Sequence, residues 1–371
     1  MSASRLPILL MGDTLNLGGT EGQFVEVACG LDRSRWEIHV SCLRAEGPLR
    51  KRLEAAGVDA WSCGSGSFKS PRFAMSAWKL ARYMRAHRIR LVHSFDFYSN
   101  ILGVLAARLA GVPVVIASQR DLGDLRPWFQ RRVHRVVLRL ADYLLVNSQA
   151  VADRVTLDRT AVPSRIVVIP NGVDLARFSP APIPKQPQGE VIIGTLGNLR
   201  TEKGLADLLR AASLIYVQCP DVRFLIWGEG PLRPDLEKLI RELGVDGTVN
   251  LRGTTVEPEA ALRELDVFVL PSLSEACSNV LLEAMATGLA VVATRVGGNP
   301  ALVEDEETGL LVPPADPAAL AKAIIRLIEE PALRTQLAER GRDRVRAEFG
   351  IDPLLARIEA LYEAALAPGE P

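Results

Sequence analysis

Short apolar runs recur along the chain, separated by longer segments of mixed polarity. Residues 8–11, 38–42, 91–93, 112–117, 143–146 and 166–169 form a first series. Residues 191–196, 224–227, 249–251, 267–270 and 290–293 form a second. Most are continuous rather than alternating, as in strands covered on both faces. The spacers are long enough for helices, so the pattern predicts α/β architecture with parallel sheets and helices on both sides. Between the two series lies Pro170-Asn171-Gly172-Val173-Asp174, followed by Pro180, Pro182, Pro184 and Pro187. Closely spaced prolines without periodicity mark a linker. The boundary is expected near 178–190, with domains at 1–180 and 181–352. A last helix at 353–366 could pack back on the first domain, and the pattern leaves that open.

Composition narrows the class. The chain has 371 residues, enough for two domains, with 48% hydrophobic and 24% charged residues and a mean hydropathy of +0.13. That excludes global disorder. Cys29, Cys42, Cys63, Cys219 and Cys277 are odd in number and form no CxxC pair. A disulfide framework or zinc site is not expected, and a reducing compartment fits. The apolar run after Leu6 is too short for a signal or membrane-spanning segment. A soluble, cytoplasmic protein is expected. Net charge is zero, but residues 1–180 hold 25 Lys and Arg against 15 Asp and Glu, and residues 181–371 hold 19 against 29. A half at +10 joined to a half at −10 suggests that only one half meets a polyanion.

Three segments carry candidate chemistry. Gly18-Gly19-Thr20-Glu21-Gly22 follows the first strand and opens a helical stretch. Such a loop brings backbone N–H groups close to an anion, or is simply a strand-to-helix turn. Lys203-Gly204 stands before the helical stretch at 205–212, where a lysine can neutralise a phosphate or be solvated. The third segment runs from Pro271 to Gly288. Ser278 is a plausible N-cap and Gly288 a plausible C′ residue, so a short helix aims free N–H groups above the strand at 267–270. Glu275 and Glu283 are eight residues apart, about 80° in azimuth on a continuous helix. They suit two separate sets of hydroxyls rather than one acid pair; the bland alternative is two surface glutamates.

Together these segments resemble the retaining GT-B glycosyltransferases of family 4, the group 1 glycosyl transferases. The likeness covers nearly the whole chain. It includes the Gly18-Gly19 loop, Leu91-Val92-His93-Ser94, Val146-Asn147-Ser148 and Pro170-Asn171-Gly172-Val173-Asp174. It continues through Lys203-Gly204, Gly228-Glu229-Gly230-Pro231, the Glu275/Glu283 pair, Gly297-Gly298 and Thr308-Gly309-Leu310. The resemblance implies two Rossmann-like doubly wound domains facing a central cleft. It implies a nucleotide-diphosphate sugar as donor, with a UDP-sugar favoured, and a glycan or lipid-linked hydroxyl as acceptor in cell-surface polysaccharide or glycolipid synthesis. Lys203 would contact the diphosphate, Glu283 the ribose and Glu275 the transferred sugar. N–H groups near Ser278, Asn279, Val280 and Leu281 would bind phosphate or sugar oxygens. Gly18 and Gly19 would close over the diphosphate, and the base would lie near Arg252-Gly253.

Two departures stand out. Asn198 occupies a position where many members carry Arg, and Arg200 two residues on could replace it. Ser118-Gln119-Arg120 follows a strand after which members often place a His that faces the sugar, so Arg120 could face donor or acceptor. His93 is the nearest histidine, read equally well as a buried structural residue.

No protein nucleophile is evident, so the resemblance implies front-face substitution with retention. No DxD and no clustered His or Cys suggests a metal, so no cofactor is expected beside the donor. On the acceptor side, 69–90 and 126–139 are basic stretches without acids, interleaved with Trp78, Trp128 and Phe129. They suit an anionic membrane at its inner face, or are solvated helix faces. No nucleic-acid motif accompanies the charge. Two alternatives remain: a glycosyltransferase-like nucleotide-binding subunit without turnover, and a sugar-nucleotide 2-epimerase.

Overall fold

The computed structural model describes residues 5–64, 70–123, 126–181 and 190–367. Lys69 of the first basic stretch and Pro182, Pro184 and Pro187 of the expected linker lie outside them. In chain order the elements are β1 (Leu6–Gly12), α1 (Gly19–Gly30), β2 (Trp36–Cys42), α2 (Arg50–Ala55), β3 (Ala60–Ser62), α3 (Pro71–Ala86), β4 (Leu91–Ser94), α4 (Phe97–Ala110), β5 (Val114–Gln119), α5 (Trp128–Arg139), β6 (Tyr143–Val146), α6 (Gln149–Leu157) and β7 (Ile166–Val168). There follow β8 (Val191–Leu196), α7 (Leu205–Gln218), β9 (Val222–Trp227), α8 (Arg233–Glu242), β10 (Val249–Gly253), α9 (Pro258–Arg263), β11 (Val267–Leu270), α10 (Asn279–Ala286), β12 (Ala290–Thr294), α11 (Asn299–Leu302), β13 (Leu310–Val312), α12 (Pro317–Glu329), α13 (Pro331–Glu348) and α14 (Ile351–Leu366).

The chain divides into two compact units. Unit 1 holds Met1–Asn171 and Ile351–Pro371, and unit 2 holds Gly172–Gly350. The division thus falls ahead of the proline stretch, and α14 belongs to unit 1. Unit 1 has a seven-stranded parallel sheet ordered β3-β2-β1-β4-β5-β6-β7. Unit 2 has a six-stranded one ordered β10-β9-β8-β11-β12-β13. In each, strand order reverses once, between β1 and β4 and between β8 and β11. Ile8, Leu9, Leu10 and Met11 are fully buried, as a strand with both faces covered requires. The edge strands β3 and β13 were not among the runs of the pattern, whereas the equally short edge strand β7 was, because its run at 166–169 is continuously β-branched.

Helix α14 completes the core of unit 1. Leu354, Ile358 and Tyr362 enter the same apolar cluster as Ile8, Leu10 and Trp36. The Tyr362 ring stands edge-on to Trp36, with centroids 5.7 Å apart. Asp32 N–H donates to Glu359 Oε1 at 2.9 Å. Tyr362 Oη also lies 2.6 Å from Nδ1 of the fully buried His93. Replacing Tyr362 by Phe strands that nitrogen and is expected to cost about 1–3 kcal/mol. Tyr362→Ala also opens a cavity and is expected to cost about 3–5 kcal/mol. Urea unfolding of both variants checks the order; equal stability of Phe and wild type would remove the hydrogen bond from the account.

Candidate active site

In unit 2 the sheet reversal leaves the carboxyl ends of β8 and β11 side by side, the place where open α/β sheets bind ligands. The loop after β8 carries Asn198, Arg200 and Lys203; the loop after β11 carries Ser272 and Glu275. Two backbone bonds join the loops: Leu273 and Ser274 N–H both donate to Glu202 O, at 2.8 and 3.4 Å. Gly204 makes their approach possible. Its φ is +62°, and a β-carbon there would lie 2.0 Å from the Pro271 carbonyl oxygen. Lys203 is thereby delivered to Glu275, with Nζ 2.6 Å from Oε1. Both side chains are largely shielded, with 26% and 9% exposure. The Ser272 hydroxyl donates to the same Oε1 at 2.8 Å.

Beside them α10 begins. Ser278 is its N-cap, and its hydroxyl accepts from Leu281 N–H at 3.4 Å. That corrects one expectation: the Leu281 N–H is engaged inside the helix cap rather than left for a ligand. Val280 N–H, one residue earlier, has no acceptor within the helix. Glu283 sits half-buried one turn into α10, and its carbonyl accepts from Thr287 Oγ1 at 2.8 Å.

The remaining sequence candidates are more peripheral. Asn198 and Arg200 are exposed. Arg252 pairs with Glu264 at 3.1 Å and lies 5.9 Å over the Trp227 ring. Gly253 accepts from Gly228 N–H at 2.7 Å, which fixes the turn after β10 against the one after β9.

In unit 1, Gly18 caps α1 in extended backbone, and Gly19 is the first helical residue. A β-carbon at Gly18 would lie 2.2 Å from Glu21 Oε2, the end of a flexible side chain that can move aside. Arg120 donates to Asn171 Oδ1 at 2.6 Å and lies over the Phe95 ring, while Asn147 Nδ2 donates to Arg120 O at 3.3 Å. Three separate motif segments therefore meet at one arginine. His93 does not face outward as a sugar-facing histidine would. It is fully buried, with Nδ1 at Tyr362 and Nε2 2.7 Å from Ser118 Oγ. Burial holds its pKa well below the ordinary value, and the charge of Arg120 adds to this.

Sequence reasoning did not single out Ser272, Asp13 or Asp96. The only signal for Ser272 was its place three residues before Glu275. Asp13 and Asp96 follow β1 and β4, at the sheet reversal of unit 1. Asp96 Oδ1 accepts from Phe97 N–H at 2.7 Å, and Asp13 Oδ1 accepts from Ser99 N–H at 2.6 Å, so both cap α4. Burial, and then the charge of Asp13, pushes the Asp96 carboxyl up to about 7. Among the described residues no group of three or more His, Cys, Asp or Glu is placed to hold a metal ion.

The fold of the two units is GT-B. Anabaena HepE, solved in complex with UDP and glucose, superposes with a TM-score of 0.85 at 21% identity, covering 97% of this chain and 100% of that one. Sucrose-phosphate synthase of Thermosynechococcus elongatus gives 0.80 at 23%, covering 98% and 100%. Residues 18–172 match the glycosyl transferase 4-like domain, and residues 190–330 match the glycosyl transferases group 1 domain. The chain is 30% identical to the D-inositol 3-phosphate glycosyltransferase of Streptomyces avermitilis, over 95% of its own length and 84% of the relative's. It is 28% identical to the UDP-Gal:alpha-D-GlcNAc-diphosphoundecaprenol alpha-1,3-galactosyltransferase of Escherichia coli, over 90% of each. The chain belongs to the group 1 glycosyltransferases.

The buried acids and histidines of unit 1 give opposite pH dependences. His93 and His134, the latter lowered to about 3 mainly by burial, are neutral when folded. Their contribution is full above the unfolded value near 6.5 and is lost as pH falls below it. Asp96 is raised, so its contribution is full below the unfolded value near 3.9 and is lost as pH rises through about 7. Asp96→Asn keeps a good cap and removes that loss. Relative to wild type, the variant is expected to gain roughly 1–3 kcal/mol between pH 4 and pH 7. Denaturation at the two pH values checks this; a pH-independent difference contradicts it.

Proposed function

We propose that the chain is a retaining, metal-independent glycosyltransferase that moves a sugar from a UDP-sugar to a hydroxyl of a glycan or lipid-linked acceptor in cell-surface polysaccharide or glycolipid synthesis. The observation that carries this reading is the Lys203–Glu275 pair at the β8/β11 reversal, beside the N-terminus of α10. A cation and a helix N-terminus on one side suit a diphosphate, and a shielded carboxylate next to them suits sugar hydroxyls. The E. coli relative uses UDP-Gal and a diphosphoundecaprenol-linked acceptor by its name, and HepE binds UDP and glucose; both agree with the reading.

In this reading Lys203 and the Val280 and Asn279 N–H groups hold the diphosphate. Glu275 takes hydroxyls of the transferred sugar, Glu283 takes the ribose, and the base lies by Arg252 and Gly253. Arg200 supplies the charge that Asn198 lacks. The acceptor hydroxyl attacks the anomeric carbon from the face the leaving phosphate departs, and that phosphate takes its proton. The new carbon–oxygen bond therefore keeps the original configuration. Charge develops on the leaving diphosphate, where Lys203 is preorganised to stabilise it. Asn198 favours a second reading, a nucleotide-binding subunit without turnover, which release of nucleoside diphosphate from the donor would refute.

Calorimetric titration with UDP, GDP and ADP, without divalent metal, tests the donor site. One diphosphate is expected to bind selectively, and Lys203→Ala to weaken it and to lower turnover at least tenfold, on the order of 10²–10³ at most. Unchanged binding and turnover in the variant would remove Lys203 from the site.

We further propose that unit 1 meets the acceptor at the inner face of an anionic membrane. Helices α3 and α5 both pack against α4 and hold no acidic residue. They expose Met75, Trp78, Trp128 and Val136 beside Arg72, Lys79, Arg82, Arg131 and Arg132. Arg82 lies 5.8 Å over Trp78 and Arg132 5.9 Å over Trp128, so each ring is paired with a cation. Among the described residues no helix is long and apolar enough to cross a membrane. Each basic residue at such a surface contributes about 1 kcal/mol. Recovery in vesicle flotation is expected to rise with the anionic lipid fraction and to fall in a Trp78→Ala/Trp128→Ala variant. Equal recovery on neutral and anionic vesicles would sink this reading.

A further inference from the structure

Glu275 is held through one carboxylate oxygen. Oε1 accepts from both Lys203 Nζ and Ser272 Oγ, at 2.6 and 2.8 Å. Oε2 has no hydrogen-bond partner among the described residues. The backbone of Glu275 is fixed separately. Gly298 N–H donates to its carbonyl at 3.2 Å, and a β-carbon at Gly297 would lie 1.6 Å from that oxygen. Ser272 is fully buried, and its own backbone is fixed without its hydroxyl: its carbonyl accepts from Thr294 Oγ1 at 2.5 Å. Thr294 O in turn accepts from Asn299 Nδ2 at 2.9 Å.

Lys203 therefore has two claimants once a diphosphate arrives. A phosphate carries more charge than one carboxylate oxygen, and lysine swings on a flexible four-carbon stem. When Lys203 turns to the phosphate, Glu275 becomes a shielded anion with one remaining side-chain donor. That bond is then what orients the carboxylate. We propose, resting on the donor-site reading above, that Ser272 is a positioning residue: its hydroxyl holds Glu275 while Lys203 engages the diphosphate, and so keeps Oε2 directed at a hydroxyl of the transferred sugar. The bond matters little to a nucleoside diphosphate, which has no sugar beyond its phosphates. It matters to the sugar nucleotide.

Ser272→Ala removes the hydroxyl and leaves the backbone anchors in place. The variant is titrated with UDP and UDP-glucose, GDP and GDP-mannose, and ADP and ADP-glucose, using the pair that wild type binds. The nucleoside diphosphate is expected to bind within about threefold of wild type. The sugar nucleotide is expected to bind about tenfold more weakly, the worth of one hydrogen bond to a charged group. Should the Ala variant not fold by thermal unfolding, Ser272→Cys, which keeps the volume, carries the same comparison. Equal weakening of both ligands, or unchanged affinity for the sugar nucleotide, overturns the role of Ser272 and leaves the donor site standing. Wild type binding none of the six overturns the donor site and this proposal with it.

Discussion

Parallel strands cannot be joined by tight turns, and this constraint organises the molecule. Every connection must cross a face of the sheet, so both faces are covered and the strands become uniformly apolar. To cover both faces the chain must reverse its direction of travel across each sheet. At that reversal two neighbouring strands send their following loops to opposite faces, and a gap opens above their carboxyl ends. The two units fill their gaps with different chemistry. Unit 1 places Asp13 and Asp96 there, both spent on capping α4. Unit 2 places Lys203, Ser272 and Glu275 there, above a helix whose cap Ser278 provides. One backbone solution yields an inward-turned acid pair in the first unit and an ion pair suited to an anionic ligand in the second.

The architecture was legible because it follows from that rule. Runs at 143–146, 191–196 and 267–270 coincide with β6, β8 and β11 as they stand. What escaped was whatever depends on residues distant in sequence. Strands β3 and β13 lack the β-branched run that marked the equally short β7. Tyr362 closes on His93 across 269 positions, and no local period announces such a contact. The buried alternative for His93 follows from its place in a continuously apolar strand, since a strand covered on both faces has nowhere exposed to send a histidine.

The candidate site was legible to a different depth. Lys203 and Glu275 stand out because a cation before a helix and an acid after a strand are chemically conspicuous. Their meeting was not, since it depends on Gly204 clearing the Pro271 carbonyl and on two backbone bonds to Glu202. Ser272 was invisible because a serine after a strand is ordinary turn material. Only its burial and its shared acceptor atom distinguish it.

The membership of α14 in unit 1 has a consequence for the order in which the protein is made. Unit 2 is a continuous stretch, Gly172–Gly350, inserted into a first unit that its own termini complete. A ribosome therefore makes the whole of unit 2 before it makes the helix that unit 1 needs. Through that interval the Trp36 ring lacks its edge-on neighbour and His93 lacks the phenol at Nδ1. The first half to be synthesised is the last to be finished, which reverses the usual N-terminal-first sequence of domain folding on the ribosome.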